Sequence, residues 1–282
     1  MKEGKKKRFG IVGRADIAAR LKAAAEAIAF LEGRGCPPVV ESDLATALGM
    51  KGTPLEEMRV DVLITLGGDG TLLWAAQRQR CSPDIDLEIL GVNVDSVGFL
   101  TEIAPSQIAR GLGRVLAGDY RSEKRTRMRT RLNGRRGYDC LNEATVHTAS
   151  ISKMIHVGIW VDGYEVDDLR ADGVVMATPT GSTSYAMSAG GPLLDPRLET
   201  LLIVPIAPFK LDVRPLVVPA AAEIEIKLLG GKEAAVVLDG QHEQAMVPGD
   251  ILLCTASDSP IKLIRLGPDF FYRRVKEKLC GR

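Results

Sequence analysis

The sequence predicts two fold classes in one chain: an N-terminal open α/β domain, then an all-β, β-sandwich-like domain. Three observations carry the prediction. Short apolar strands alternate with helix-spaced segments through the first hundred residues, which implies a mostly parallel open sheet. From about residue 119, short apolar runs separated by Gly, Pro and Asp turns take over. A short amphipathic segment closes the chain. At 282 residues there is room for about two domains, each with ample core. The expected division is 1–118 for the α/β domain, 119–266 for the β-rich domain, and 267–282 for a segment returning to the first.

In chain order, Arg8–Val12 is a first short strand, followed by Gly13. Ile17–Leu31 places Leu21, Ala24, Ala25, Ile28 and Leu31 at helical spacing and is closed by Gly33 and Gly35. Pro38–Val40, Val60–Leu66 and Leu87–Val92 supply the second, third and fourth strands. In such sheets ligands bind beyond the carboxyl ends of the strands.

Arg125, Arg127, Arg129 and Arg131 then alternate with Thr126, Met128, Thr130 and Leu132. Period two marks a half-exposed strand; its basic face suits an anionic ligand, but a solvated face is the simpler reading. Further strands are expected at 155–161, 173–178, 201–205, 223–229, 234–238, 251–255 and 261–266, with turns at Asp162-Gly163, Gly230-Gly231 and Pro248-Gly249-Asp250. Phe270–Leu279 reads as a short amphipathic helix packing back on the first domain.

Composition excludes several classes. Thirty-seven basic and 36 acidic residues leave a net charge of +1, which gives no support to a nucleic-acid or membrane-surface partner. The basic tail Lys2–Arg8 is most simply a solvated terminus, and with neither a signal core nor a membrane span a cytoplasmic protein is expected. Five scattered cysteines fit reduced thiols, and three histidines without pair spacing argue against a structural zinc site. No Gly-x-Ser-x-Gly elbow, P-loop or Gly-x-Gly-x-x-Gly fingerprint occurs.

The third strand runs into Gly67-Gly68-Asp69-Gly70-Thr71, after which Leu72–Ala76 opens a helix. Glycines let backbone approach a ligand closely, and amides at a helix start face an anion such as a phosphate. Asp69 is an acid where phosphates would sit, so it suits a hydroxyl or a metal; the plain alternative is an Asx-type turn. A second cluster, Asp172-Gly173 through Thr178-Pro179-Thr180-Gly181-Ser182-Thr183-Ser184-Tyr185, offers hydroxyls and amides to a ribose or a base edge, with Tyr185 able to stack on a base. A Ser/Thr-rich turn is the alternative. Ser188–Pro192 extends the irregular stretch. Asn93–Leu100, Asn142-Glu143 and Asp239-Gly240-Gln241 are weaker signals, the last reading by itself as a hairpin turn.

Taken in order and spacing, these motifs resemble the NAD kinases from about residue 8 to the end. The Gly-Gly-Asp-Gly-Thr loop is also similar to that of diacylglycerol and sphingosine kinases and, more loosely, phosphofructokinases; the Thr-Pro-Thr-Gly-Ser-Thr stretch is the more specific to NAD kinases. The resemblance implies a Rossmann-like α/β domain, a β-sandwich-like domain, and transfer of a phosphoryl group to the adenosine ribose 2′-hydroxyl of NAD. It implies ATP or polyphosphate as donor, Mg²⁺ or another divalent metal, and a homodimer or homotetramer; no metal ligand is assigned.

By the same resemblance, Asp69 accepts or orients the hydroxyl proton, Gly70 lies against the nucleotide, and Gly67, Gly68 and Thr71 form the donor-phosphate loop. Asn142 and Glu143 hold the adenosine end, Thr183 and Tyr185 line the adenine pocket, and Ser188 is near. Asp172 and Arg170 face the nicotinamide half, Ala207 and Gln241 are further binding positions, and Lys153 reaches a neighbouring subunit's site. Departures are Phe209 for a usual His, Ser184 for a usual Ala, and bulky Trp74 at a position often basic. Two other classes stay open: a lipid kinase, which would continue the loop with Asn-Glu where this chain has Leu72-Leu73, and a non-catalytic NAD sensor.

Overall fold

The computed structural model describes residues 7–78, 86–95, 98–150, 153–268 and 271–279. Most of the basic tail, Cys81, Cys280, Ser96-Val97 and Phe270 lie outside the described residues. The chain forms two compact units, Met1–Lys124 with Ile261–Arg282, and Arg125–Pro260.

The strands are β1 (Phe9–Gly13), β2 (Val39–Val40), β3 (Val62–Gly67), β4 (Glu88–Asn93), β5 (Arg121–Arg125) and β6 (Met128–Leu132). There follow β7 (Arg135–Arg136), β8 (Glu143–Thr148), β9 (Ile155–Val161), β10 (Tyr164–Ala171), β11 (Gly173–Ala177) and β12 (Thr200–Ile206). The last are β13 (Leu216–Pro219), β14 (Ile224–Gly230), β15 (Ala234–Leu238), β16 (His242–Met246), β17 (Ile251–Ala256) and β18 (Ile261–Arg265). The helices are α1 (Ala18–Glu32), α2 (Ser42–Ala47), α3 (Asp69–Arg78), α4 (Ile108–Leu116), α5 (Tyr185–Ser188) and α6 (Phe271–Leu279).

In the first unit one six-stranded sheet has the order β2-β1-β3-β4-β18-β5. Pairing is parallel from β2 through β18. The central strands read as unbroken apolar runs because the sheet is covered on both faces, and β1 and β3 are buried at every position. Helix α1 lays Ala23, Ala24, Ala27, Ile28 and Leu31 into the core shared with Ile108, Leu112 and Val115 of α4. The chain leaves β1 toward β2, then crosses to the other side of β1 to enter β3. The order therefore reverses between β1 and β3, the topological switch point where open α/β sheets bind ligands. The loop after Gly67 lies at that point.

The second unit holds two six-stranded sheets, ordered β10-β9-β14-β17-β6-β7 and β13-β12-β11-β8-β15-β16, antiparallel throughout. Met128, Val157 and Ile226 of one sheet and Ala144, Val174 and Val236 of the other join a single core. Tight turns with positive φ at Asp162-Gly163 and Asp239-Gly240 close two of the hairpins.

The structure differs from the sequence reading in several places, among them three that bear on the fold or the site. The basic strand is two, β5 and β6, and Arg125 and Arg127 are buried rather than solvated; Arg127 Nη2 donates to the Asp139 carbonyl at 3.0 Å. Strand Ile261–Arg265, grouped by its pattern with the β domain, pairs parallel to β4 in the first unit's sheet. A five-residue strand pattern carries no mark of which sheet it joins. Strand β10 escaped notice because it is an edge strand bearing Glu165, Asp167 and Asp168, charges that guard an open edge but hide the period-two signal.

Candidate active site

Strand β3 ends at Gly67, where a Cβ would sit 2.3 Å from Thr71 Oγ1. Only glycine lets the loop fold back on its own helix, and Thr71 is spent on that packing, 6% exposed. Asp69 is the first residue of α3, where the helix dipole favours a negative charge. Its carboxylate reaches across to a segment following β4. Oδ2 accepts the Phe99 amide at 2.6 Å, and Oδ1 accepts those of Leu100 at 3.0 Å and Thr101 at 3.3 Å. A carboxylate has about four in-plane acceptor positions, so among the described residues one on Oδ2 stays open to a hydroxyl. The contact is possible because residue 98 is glycine: a Cβ there would fall 1.9 Å from Asp69 Oδ1. The neighbouring half of the Asn93–Leu100 motif sits against the same loop. A Cβ on Gly68 would lie 3.3 Å from Asp95 Oδ2, and Asp95 is gripped by Arg20 Nη2 at 2.8 and 2.7 Å. Asn93 Oδ1 is buried with no hydrogen-bond partner among the described residues. Trp74 carries the Arg78 guanidinium over its ring at 5.1 Å.

The second unit repeats the device. Asp239, buried in the β15–β16 turn at φ 48°, accepts the Leu141 amide on Oδ2 at 2.8 Å and those of Asn142 and Glu143 on Oδ1 at 2.8 and 3.0 Å. Read from sequence as a plain turn residue, it organises the Asn-Glu pair. From the other side, Thr178 Oγ1 donates to the Leu141 carbonyl at 2.5 Å and its amide to the Asn142 carbonyl at 2.8 Å. Gly181 lies so close that a Cβ would be 2.2 Å from the Asn142 carbonyl oxygen. Ser182 Oγ ties the loop to the Leu194 amide at 2.9 Å. Ser184, the departure from the family's Ala, donates to Glu143 Oε1 at 3.3 Å. The other oxygen, Oε2, is buried with no partner among the described residues. Burial, with the nearby Asp239 charge, pushes the Glu143 carboxyl up to about 7.

Asn142, Glu143, Thr183 and Tyr185 thus meet at one end of β11, with Gln241 in the adjoining hairpin turn. Thr183 is half-buried, and Tyr185 and Ser188 are exposed on α5. Asp172, Arg170 and Ala207 gather at the other end: the Asp172 amide donates to the Ile206 carbonyl at 3.0 Å, the Phe209 amide to the Arg170 carbonyl at 2.8 Å, and Ala207 takes φ 45°. The two groups are separated by the length of β11, about 17–20 Å at 3.3 Å per residue. Lys153 is exposed in the connection before β9 and joins neither group.

An acid at a glycine loop on the switch point of an α/β sheet, in a chain whose β unit presents a hydroxyl-rich loop and a buried Asn-Glu pair, defines a phosphotransferase of the kinase class. The ATP-NAD kinase N-terminal domain matches residues 9–120 and the ATP-NAD kinase C-terminal domain residues 141–266. The chain is 42% identical to the NAD kinase of Methanothermobacter thermautotrophicus over 276 residues, 96% of each chain, and 38% identical to that of Thermococcus kodakarensis over 270 residues, 94% and 96% of the two chains. In fold it is similar to an Archaeoglobus fulgidus NAD kinase in complex with ATP, with a TM-score of 0.79 and 29% identity over 98% of this chain and 99% of that one. It is also similar in fold to yeast NADH kinase complexed with NADH, with a TM-score of 0.92 and 24% identity over 99% and 89%. This chain belongs to the NAD kinase family.

Proposed function

We propose that the protein transfers the terminal phosphoryl group of ATP to the adenosine ribose 2′-hydroxyl of NAD, giving NADP. The observation that carries the reading is Asp69: a carboxylate fixed by three consecutive amides at the switch-point loop, with one acceptor position of Oδ2 left for a hydroxyl among the described residues. Asp69 orients that hydroxyl and takes its proton as the new P–O bond forms. A carboxylate is a weak base for an alcohol, so positioning and charge neutralisation supply most of the rate in the loose transition state. Gly67, Gly68 and the start of α3 receive the donor phosphates, Thr71 shapes that loop, and Gly70 lies against the nucleotide. Asn142, Glu143, Thr183 and Tyr185, with Ser188 and Gln241, hold the adenosine. Arg170, Asp172 and Ala207, a strand's length away, face the nicotinamide half.

Among the described residues no cluster of three or more acidic, His or Cys side chains could hold a metal by itself. Mg²⁺ carried by the donor's phosphates would need only one or two protein carboxylates. Asp95, beside Gly68, is the carboxylate that would take part, and the ion would neutralise phosphate charge. The complex of the Archaeoglobus fulgidus relative with ATP supports ATP as donor over polyphosphate.

A homo-oligomer is part of the same proposal. Phe209 and Leu211 are 73% and 93% exposed, and Leu216 and Val217 of edge strand β13 are also exposed, an apolar surface suited to a second copy. Lys153, exposed outside both groups, would reach the neighbouring subunit's site from there. Cys36, Cys140 and Cys254 are free thiols, which supports a reducing cytoplasmic setting; no helix among the described residues is long and apolar enough to cross a membrane. A panel of ATP, other nucleoside triphosphates and polyphosphate with NAD, Mg²⁺ and purified protein, scored for NADP, tests the reading. NADP with ATP is expected, and no product with any donor would overturn it.

A further inference from the structure

Helix α6 carries no buried apolar residue, yet it is tied to the segment that holds Asp69. Arg274 Nη1 donates to the Phe99 carbonyl, Arg274 Nη2 to Glu102 Oε2 at 3.4 Å, and Lys278 Nζ lies 4.6 Å from the centre of the Phe99 ring. The Phe99 carbonyl and the Leu100 amide are two ends of one peptide unit, and the Leu100 amide donates to Asp69 Oδ1 at 3.0 Å. The next peptide repeats the arrangement. Arg265 Nη1 donates to the Leu100 carbonyl at 3.0 Å, and the Thr101 amide at its other end donates to Asp69 Oδ1 at 3.3 Å. Two cations, buried Arg265 and partly buried Arg274, therefore pull on the carbonyl ends of the two peptides whose amide ends grip one carboxylate oxygen. Hydrogen bonds in such chains strengthen one another by about 10–30% each, and charged donors give the stronger bonds.

Glu102 keeps the arginines in place. Its side chain is 2% exposed; Oε1 accepts the Leu266 and Gly267 amides at 2.8 and 3.3 Å, and Oε2 takes Arg265 at 3.1 Å beside Arg274. Burial and the like charge of Arg265 pull the Arg274 guanidinium below its usual value, but an arginine stays charged there.

We propose that Arg274 is a positioning residue for phosphoryl transfer, setting Asp69 through the peptide unit that joins Phe99 to Leu100, with Arg265 doing the same through the next peptide. The inference rests on the reading of Asp69 as the residue that meets the hydroxyl. Arg274 is the residue to test, because Arg265 pairs with both Glu102 and Glu123 and its loss would disturb several ion pairs at once, whereas Glu102 keeps Arg265 when Arg274 is lost.

The experiment compares wild type, Arg274→Met, Arg274→Lys and the exposed control Arg273→Ala. It reads the amide proton shifts of Leu100 and Thr101 in ¹⁵N-labelled protein, and kcat and KM with NAD and ATP. In Arg274→Met the Leu100 amide should move upfield, as its hydrogen bond weakens, with Thr101 little changed. Its kcat should fall about ten- to a hundredfold while both KM values stay within about twofold, the signature of lost orientation rather than lost binding. Arg274→Lys, which keeps a charged donor, should recover part of each effect, and Arg273→Ala should match wild type. If the methionine variant does not fold, Arg274→Gln, neutral and still able to donate, replaces it with a smaller shift and loss in the same direction. An unmoved Leu100 amide, an unchanged kcat, or a loss confined to KM would overturn the inference. A wild-type protein making no NADP would instead overturn the reading of the site, and the amide shifts would still judge the relay.

Discussion

Asp239 accepts the Glu143 backbone amide at 3.0 Å and at the same time sets its own negative charge beside the buried Glu143 carboxyl. The anchor that shapes the Asn-Glu pair is thus also, after burial, a reason the Glu143 carboxyl rises from 4.5 to about 7. The folded chain holds that proton over a range where the unfolded chain has lost it. Between these two values the native state binds more protons, so this group's contribution makes stability fall as pH rises. The penalty is complete above about pH 7 and is up to about 3 kcal/mol at 1.36 kcal/mol per unit. Glu143→Gln has no such charge. Its stability relative to wild type, from urea unfolding, should improve between about pH 4.5 and pH 7 and level off above that. A difference that does not change with pH would refute the assignment.

Asp69→Asn tests a carboxylate whose two oxygens the fold uses only as acceptors. Three amides point at its two oxygens. An Asn offers one oxygen, so its NH₂ must face at least one donor. Loss of that bond should cost about 1–3 kcal/mol of stability. Turnover should fall by about 10²–10⁴, the usual weight of a general base, while the KM for NAD changes little. Steady-state kinetics beside a denaturation curve separates the two effects, and near-normal turnover would remove Asp69 from its role.

What could be read from the sequence, and what could not, follows from the range of each interaction. Val62–Gly67 was legible as a strand because its run of apolar residues matches a parallel strand buried on both faces, and Asp69 was legible because its flanking glycines are adjacent in the chain. What Asp69 touches was not. Phe99 is 30 residues on, Asp239 is 96 from Glu143, and Arg274 is 175 from Phe99. No local pattern marks those partners. Asp239-Gly240 satisfies a hairpin's demand for positive φ so completely that the turn reading hides the side chain's second task. Arg125 and Arg127 misled for a similar reason, since period two reports a strand but not which face is covered.

Gly98→Ala should disable the enzyme without touching an acid. The added methyl would stand 1.9 Å from Asp69 Oδ1 and 2.8 Å from Oδ2, so either the carboxylate or the 98–101 segment must move. A displacement of about 1 Å at a reacting group can lower turnover about a hundredfold. The expected result is a fall in kcat approaching that of Asp69→Asn, with NAD affinity largely kept. Isothermal titration with NAD and initial-rate measurements check it; a fully active variant would mean that Asp69 works from another position.

Gly70→Ala is the complementary probe, because here the structure makes no demand for glycine. A Cβ at residue 70 meets nothing within 4 Å, the residue does not take positive φ, and it lies in the first turn of α3. On backbone grounds alanine should be neutral or stabilising by up to about 1 kcal/mol, since it loses less freedom on folding. Any loss of function must then come from a methyl projecting where a ligand lies. If Gly70 packs against the nucleotide, KM for NAD or ATP should rise severalfold while the thermal midpoint stays level or increases, and the substrate whose KM rises identifies what the loop touches. An alanine variant with unchanged KM values for both substrates would remove Gly70 from the nucleotide contact.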